Sequence, residues 1–270
     1  MEPIDTETYS LYRGSAPLLV SVPHDGTVLP DDFASRMTSS ARGVPDTDWH
    51  IARLYAFARD LGASMIVPKF SRYVIDLNRP EDDLSLYPGQ NTTGLCPTVQ
   101  FNGEPVYRDG QQPTPDDIAR RVDRYWRPYH DALRKELERV RAHHGRVVLW
   151  EGHSIKGHLP FLFDGQLPDL NLGTANGASC MPELQSRLEK ELAAQDHYSH
   201  VINGRFKGGH ITRHYSNPAK GIDAIQLEIN QCIYMDEATF AFDDHKARQA
   251  QAGIRNLLEA LELGYAVQST

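Results

Sequence analysis

The chain has 270 residues, 40% hydrophobic, 9% aromatic and 24% charged, enough to bury a large core and unlike a disordered or low-complexity chain. Its formal net charge of −8 comes from dispersed acids without a basic patch, which argues against a nucleic-acid partner. Cys96, Cys180 and Cys232 form no CxxC pair, no apolar run is long enough for a membrane span, and MEPIDTETYS lacks a secretory pattern, so a cytoplasmic protein without disulfides is expected.

In chain order, PLLVSV (17–22) is apolar without alternation, which predicts a buried strand of the parallel kind. A helix is expected over 48–61, with Ile51, Leu54, Tyr55 and Ala58 on one face and Gly62 as its stop. SMIVP (64–68) and RYVID (72–76) read as further strands. The stretch 80–115, rich in Gly, Pro, Asn and Asp, is too long for an ordinary connection and is expected to be a functional loop. Over 114–145 the helix signal is strongest. Thr114 suits the cap, Pro115 the first turn, and Asp116 and Asp117 the positive end of the dipole. Apolar residues from Ile118 to Val140 then recur every three or four positions, and Pro128 should kink or interrupt the helix.

RVVLWEGH (146–153) predicts another strand, followed by a second functional loop at 152–181. A helix near 181–194, the strand IDAIQLEI (222–229) and a helix over 245–263 complete the chain. With no repeat or linker, residues 1–270 read as a single catalytic domain of the α/β class, a sheet covered by helices.

Four polar clusters, VPHDG, VIDLNRP, LWEGHS and IQLEIN, follow or interrupt strands, where the loops of an open α/β sheet converge on ligands. His24 and His153 occupy matching places, each suited to ligate zinc or a similar ion or simply to bond within a polar loop. A third ligand is available from Asp46 or Asp48, one of which also suits a helix cap. Glu151 and Asp25 are placed to orient a ligating imidazole. Glu228, among apolar neighbours, reads either as a general base or as half of a buried ion pair. Arg72, Arg79 and Arg213 could grip carboxylates or form ordinary ion pairs, and Asn78 adds an amide. No nucleotide-binding glycine motif or serine elbow occurs.

SVPHDG, DTDWH, RYVIDLNRP, LYPGQNTTGLCP, EGHSI, RFKGGHITRHY and IQLEINQCIYM together resemble the N-formylglutamate deformylase (amidohydrolase) family, in order over 17–235. The resemblance implies a bacterial cytoplasmic hydrolase that converts the small anion N-formyl-L-glutamate to formate and L-glutamate in histidine degradation. It also implies a three-layer α/β/α fold with a mixed, mostly parallel sheet, like zinc carboxypeptidases and aspartoacylases. His24 and His153 resemble the imidazole ligands of a divalent metal, zinc before others, with Asp48 preferred over Asp46 as the acid. Asn78 and Arg79 match the substrate-carboxylate stretch, Arg72 the arginine that polarises the scissile carbonyl, and Glu228 the base. Arg213 is expected to help hold the substrate. His24 is followed by DGT where carboxypeptidase-like sites have HxxE, a departure that bears on the third ligand. The rival readings are a deacylase for another N-acyl acidic amino acid and a non-catalytic module binding amino-acid derivatives. Oligomeric state is not legible.

Overall fold

The apolar run at 17–22 forms a strand whose side chains alternate between two packing faces, Leu18 and Val20 entering one cluster and Leu19 another. The computed structural model describes residues 2–84 and 92–266, with side chains as far as Leu261. Strands β1 (Ile4–Asp5), β2 (Tyr9–Tyr12), β3 (Leu18–Ser21), β4 (Ser64–Pro68), β5 (Val147–Ile155), β6 (Leu170–Gly173), β7 (His200–Ile202) and β8 (Ile222–Asn230) build one sheet. Its order is β1-β2-β4-β3-β5-β8-β6-β7. The central strands β4, β3, β5 and β8 are parallel, and β2 and β6 join them antiparallel, so the sheet is mixed.

The helices are α1 (Asp31–Ala34), α2 (Ile51–Leu54), α3 (Pro115–Arg121), α4 (Arg127–His144), α5 (Pro182–Ala193), α6 (His210–Tyr215) and α7 (Asp244–Ala266). Val148, Trp150, Ile225 and Leu227 pack with α2, α5 and α7 on one face, while Val147, Leu149 and Ala224 pack with α4 on the other. Among the described residues no helix is long and apolar enough to cross a membrane.

Most expected elements form, and the departures have local causes. The long helix keeps its Thr114–Asp117 capping box and ends at Gly145 in the left-handed region, but it opens into a π turn over Val122–Trp126 just before Pro128. The missing N–H of proline is absorbed there by a widened ladder. The helix expected over 48–61 is broken. Only Ile51–Leu54 is α-helical and Ala56–Arg59 is a 3-10 turn, because His50 sits at φ 62° and the Asp48 N–H is tied back to the His24 carbonyl at 3.1 Å. RYVID does not form a strand. The chain turns there, and Arg72 and Asp76 face each other across it, Nη2 to Oδ2, at 2.6 Å. Val74, Ile75 and Leu77 are buried all the same, and the Asp76 N–H donates to the Leu95 carbonyl at 2.7 Å. Strands β1, β2, β6 and β7 and helices α1 and α6 are not among the expected elements; they are short or carry polar residues that mask the period. Of the loop expected over 80–115, including part of LYPGQNTTGLCP, residues 85–91 lie outside the described residues.

His130 ties α4 to this turn. Its Nε2–H donates to the Leu77 carbonyl at 2.9 Å, Nδ1 accepts from the Tyr215 hydroxyl at 2.9 Å, and the ring stacks on Trp126. Burial pushes its pKa down to about 3 from an ordinary 6.5. The unfolded chain therefore takes up a proton that the folded protein refuses in this window, so His130 makes stability fall as pH drops from 6.5 toward 3. The slope from one such group is at most about 1.4 kcal/mol per pH unit. His130→Gln, which keeps a donor for Leu77, is expected to flatten the unfolding free energy against pH between about 4 and 6 in urea titrations; an unchanged slope would assign the effect elsewhere.

Candidate active site

Parallel register puts the chemistry on one face at the carboxyl ends of the central strands. On β5, Glu151 and His153 alternate with apolar residues, and they pair across the ladder with Gln226 and Glu228 of β8. His24 follows the end of β3 and is joined to Asp48 through the backbone bond already described. One ligand atom from each of His24, Asp48 and His153 lies within 4.8 Å of the other two, and all three residues are buried.

The contacts orient both rings. Asp48 Oδ2 is 2.9 Å from His153 Nδ1 and 3.6 Å from His24 Nδ1. The opposite nitrogens meet carboxylates, His24 Nε2 at 2.7 Å from Asp76 Oδ1 and His153 Nε2 at 2.8 Å from Glu151 Oε1. Asn78 Nδ2 also lies 3.0 Å from that nitrogen, but its Oδ1 accepts from the Ile211 N–H. Nδ2 is thus a donor that lies beside the ring without bonding to Nε2, and because the Glu151 carboxylate only accepts, Nε2–H of His153 donates to it. Nδ1 of each ring faces Asp48, and at His153 it carries a proton donated to that carboxylate, which a metal ion would have to displace; a carboxylate behind an imidazole is the arrangement that fixes its tautomer for a metal. Glu151 is held in turn by the N–H and hydroxyl of Thr212. Two neutral imidazoles and one carboxylate fit a divalent cation of the zinc type.

Charge points the same way. Asp48, Asp76, Glu151 and Glu228 are buried together, with Arg72 as the buried guanidinium among them. Desolvation would raise Asp48 and Asp76, yet His24 and its partners hold both well below the ordinary carboxylate range. His153 is raised well above 6.5 against its own desolvation, chiefly by Glu151. Glu228 goes the other way: burial, aided by the negative Asp48 and Glu151, pushes it up to about 8 although His153 opposes the shift. Its carboxylate has no hydrogen-bond partner among the described residues and borders an open cleft of about 720 Å³, counted out to its mouth. Such a group can accept and return a proton near neutral pH.

Arg72 and Asn78 border the same cleft, Arg72 with Nη1 3.7 Å from Asp48 Oδ1. Arg79 borders it too, its Nε donating to the Thr93 carbonyl at 2.8 Å. Three expectations meet a different geometry. Asp46 turns away, its Oδ2 accepting from the Tyr73 hydroxyl at 2.6 Å and the Phe101 N–H at 2.8 Å. Asp25 orients no imidazole; its Oδ1 accepts from the Ala52 N–H at 2.9 Å and caps α2. Arg213 is exposed and outside the cleft, with Nε on the Gly208 carbonyl, while Arg205 borders the cleft instead. Sequence reasoning missed Asp76 and Arg205. The spacing of four from Arg72 to Asp76 was the available signal for the first; Arg205 had none beyond its place in a glycine-rich motif.

The N-formylglutamate amidohydrolase family profile matches residues 16–235, most of the chain. The chain belongs to the N-formylglutamate amidohydrolase family. It is 52% identical over 253 residues to the N-formylglutamate deformylase of Pseudomonas putida, covering 93% of this chain and 94% of that one. Against the N-formylglutamate deformylase of Pseudomonas aeruginosa it is 52% identical over 256 residues, covering 94% and 96%. A crystal structure of N-formylglutamate amidohydrolase from Ralstonia eutropha JMP134 superposes with a TM-score of 0.81 at 27% identity, covering 98% of this chain and 100% of that one. A gene product of Agrobacterium tumefaciens shares the fold, with a TM-score of 0.69 at 15% identity over 95% and 97% of the two chains.

Because Asp76 fixes His24 from behind, Asp76→Asn is expected to weaken divalent-metal binding about 10- to 100-fold in chelator competition. An unchanged affinity would remove Asp76 from the orientation of His24.

Proposed function

We propose that this chain hydrolyses N-formyl-L-glutamate to formate and L-glutamate with the help of a divalent metal, zinc first among the candidates. The observation that carries the reading is the convergence of His24, Asp48 and His153 beside Glu228 and Arg72, in a chain half identical to two N-formylglutamate deformylases. The ion would be held by those three residues, Asp48 rather than Asp46. When bound, it supplies Lewis acidity, which makes water a nucleophile near neutral pH. Glu228 takes the proton of the attacking water. Arg72 donates to the oxygen on which negative charge grows, and a donor so placed is commonly worth about 3 to 4 kcal/mol. Glu228 then returns the proton to the departing glutamate nitrogen.

Asn78, Arg79 and Arg205 are proposed to hold the two carboxylates, Arg205 in the part expected of Arg213. The substrate is thus a small dianion, and nucleic acid is not a partner. The finer fold reading, one catalytic domain with three α/β/α layers and a kinship to zinc carboxypeptidases and aspartoacylases, belongs to the same proposal. So do a cytoplasmic location and a place in histidine degradation.

Formate release from N-formyl-L-glutamate by the zinc- or cobalt-loaded protein tests the reading. Comparable kcat/KM for N-acetyl- and N-formyl substrates would replace it with a broader deacylase, and absence of release with any metal would leave a binding module. Glu228→Gln is expected to keep its metal and lose about 10²- to 10⁴-fold in kcat, and retained turnover would remove it as the base. Arg205→Ala is expected to raise KM by about 10- to 100-fold, the worth of a hydrogen bond to a charged group, with a smaller change in kcat; an unmoved KM would place Arg205 outside substrate binding.

A further inference from the structure

Phe101 stands between two cavities. It borders the cleft that holds His24, Asp48 and His153, and also a second, smaller recess walled by Asp46, Thr47, Lys156, Leu159 and Gln231. Its ring lies over the Arg72 guanidinium, 4.7 Å from Cζ to the ring centroid. The partition is firmly held. The Phe101 N–H donates to Asp46, which also accepts from Tyr73, and the side chain packs in a buried cluster with Ile155, Leu159 and Leu167. Beyond it, the Thr47 hydroxyl and the Gln231 side-chain oxygen, of residues that wall the second recess, are buried without a partner among the described residues.

We propose that Phe101 sets the limit on acyl-group size, admitting the hydrogen of a formyl group and rejecting a methyl or anything larger. The inference rests on the amidohydrolase reading above. An acyl carbon carries three substituents in the substrate. Its oxygen turns toward Arg72 and the ligand cluster, and its nitrogen leads to the glutamate held by Asn78, Arg79 and Arg205. The third substituent is left facing the wall beside Arg72, and that wall is the Phe101 ring. A hydrogen fits against it; a methyl has to displace an aromatic ring fixed through its backbone and its packing. The bond changes are the same for either acyl group: the water oxygen bonds to the acyl carbon, the C–N bond breaks, and the nitrogen leaves with a proton. Size, not chemistry, makes the selection. Removing the ring would merge the cleft with the second recess and give a longer acyl chain somewhere to go.

The test compares wild type, Phe101→Leu and Phe101→Ala, all metal-loaded, on N-formyl-, N-acetyl- and N-propionyl-L-glutamate. The formyl-to-acetyl ratio of kcat/KM is expected to fall by about 10- to 200-fold in Phe101→Ala, the discrimination a well-shaped pocket draws from one methylene-sized group. Phe101→Leu should fall between that and wild type. Calorimetric titration with N-acetyl-L-glutamate supplies a reading independent of turnover, and tighter binding to Phe101→Ala at unchanged metal content is expected. An unchanged ratio in both variants, or an equal loss on every substrate, overturns the role of Phe101. Absence of formate release by wild type overturns the amidohydrolase reading instead.

Discussion

Burial of Asp48, Asp76, Glu151 and Glu228 around one guanidinium and two imidazoles is the constraint on which the rest of the site depends. Carboxylates cannot be gathered out of water at no cost; each must be neutralised, paired or placed next to a cation. The molecule uses all three means. Asp76 is paired with Arg72 and His24, Glu151 with His153 and Thr212, and Asp48 lies between the two rings. Glu228 alone of the four has a carboxylate without a hydrogen-bond partner among the described residues, and its raised pKa follows from burial in that unpaired position. A divalent ion among the Nδ1 atoms and Asp48 would complete the balance.

The fold supplies this assembly through register and turns. Because β5 and β8 run parallel with His153 opposite Glu228, a proposed ligand and a proposed base are fixed relative to each other by backbone hydrogen bonds. Sites built on strands in this way hold their geometry better than sites built on loops. The remaining members arrive on turns whose backbone groups are paired, as with the Asp48 N–H on His24 and the Asn78 N–H on Asp76. The turn of 71–79 brings Arg72, Asp76, Asn78 and Arg79 to one place, which a straight strand, holding Arg72 and Asp76 about 13 Å apart and sending Arg79 to the other face, could not do.

That turn also marks the limit of what could be read from the sequence. The central strands, α5, α7 and the long helix interrupted before Pro128 were legible because apolar spacing is a local property. So were five candidates: His24 and His153 because each ends an apolar run, Glu228 because apolar residues flank it, Arg72 as a cation before YVIDLN, and Asp48 as one of two acids at an expected helix start. RYVID carries the same apolar residues as a strand, and what turns it aside are contacts such as Val74 N–H to the Ser71 carbonyl, Asp76 N–H to the Leu95 carbonyl and the pairing of Arg72 with Asp76. Choosing between Asp46 and Asp48 required knowing where Tyr73 and the Phe101 N–H lie, and choosing between Arg205 and Arg213 required the placement of α6. Those contacts join residues distant in the chain, and no short window encodes them.

His24, Asp48 and His153 are proposed to hold a divalent ion. X-ray absorption spectroscopy of the protein loaded with one equivalent of zinc addresses it directly. A shell of nitrogen and oxygen ligands at about 2.0 to 2.2 Å with the outer-shell scattering of two imidazoles is expected. A sulfur shell near 2.3 Å, or an ion without imidazole scattering, would contradict it.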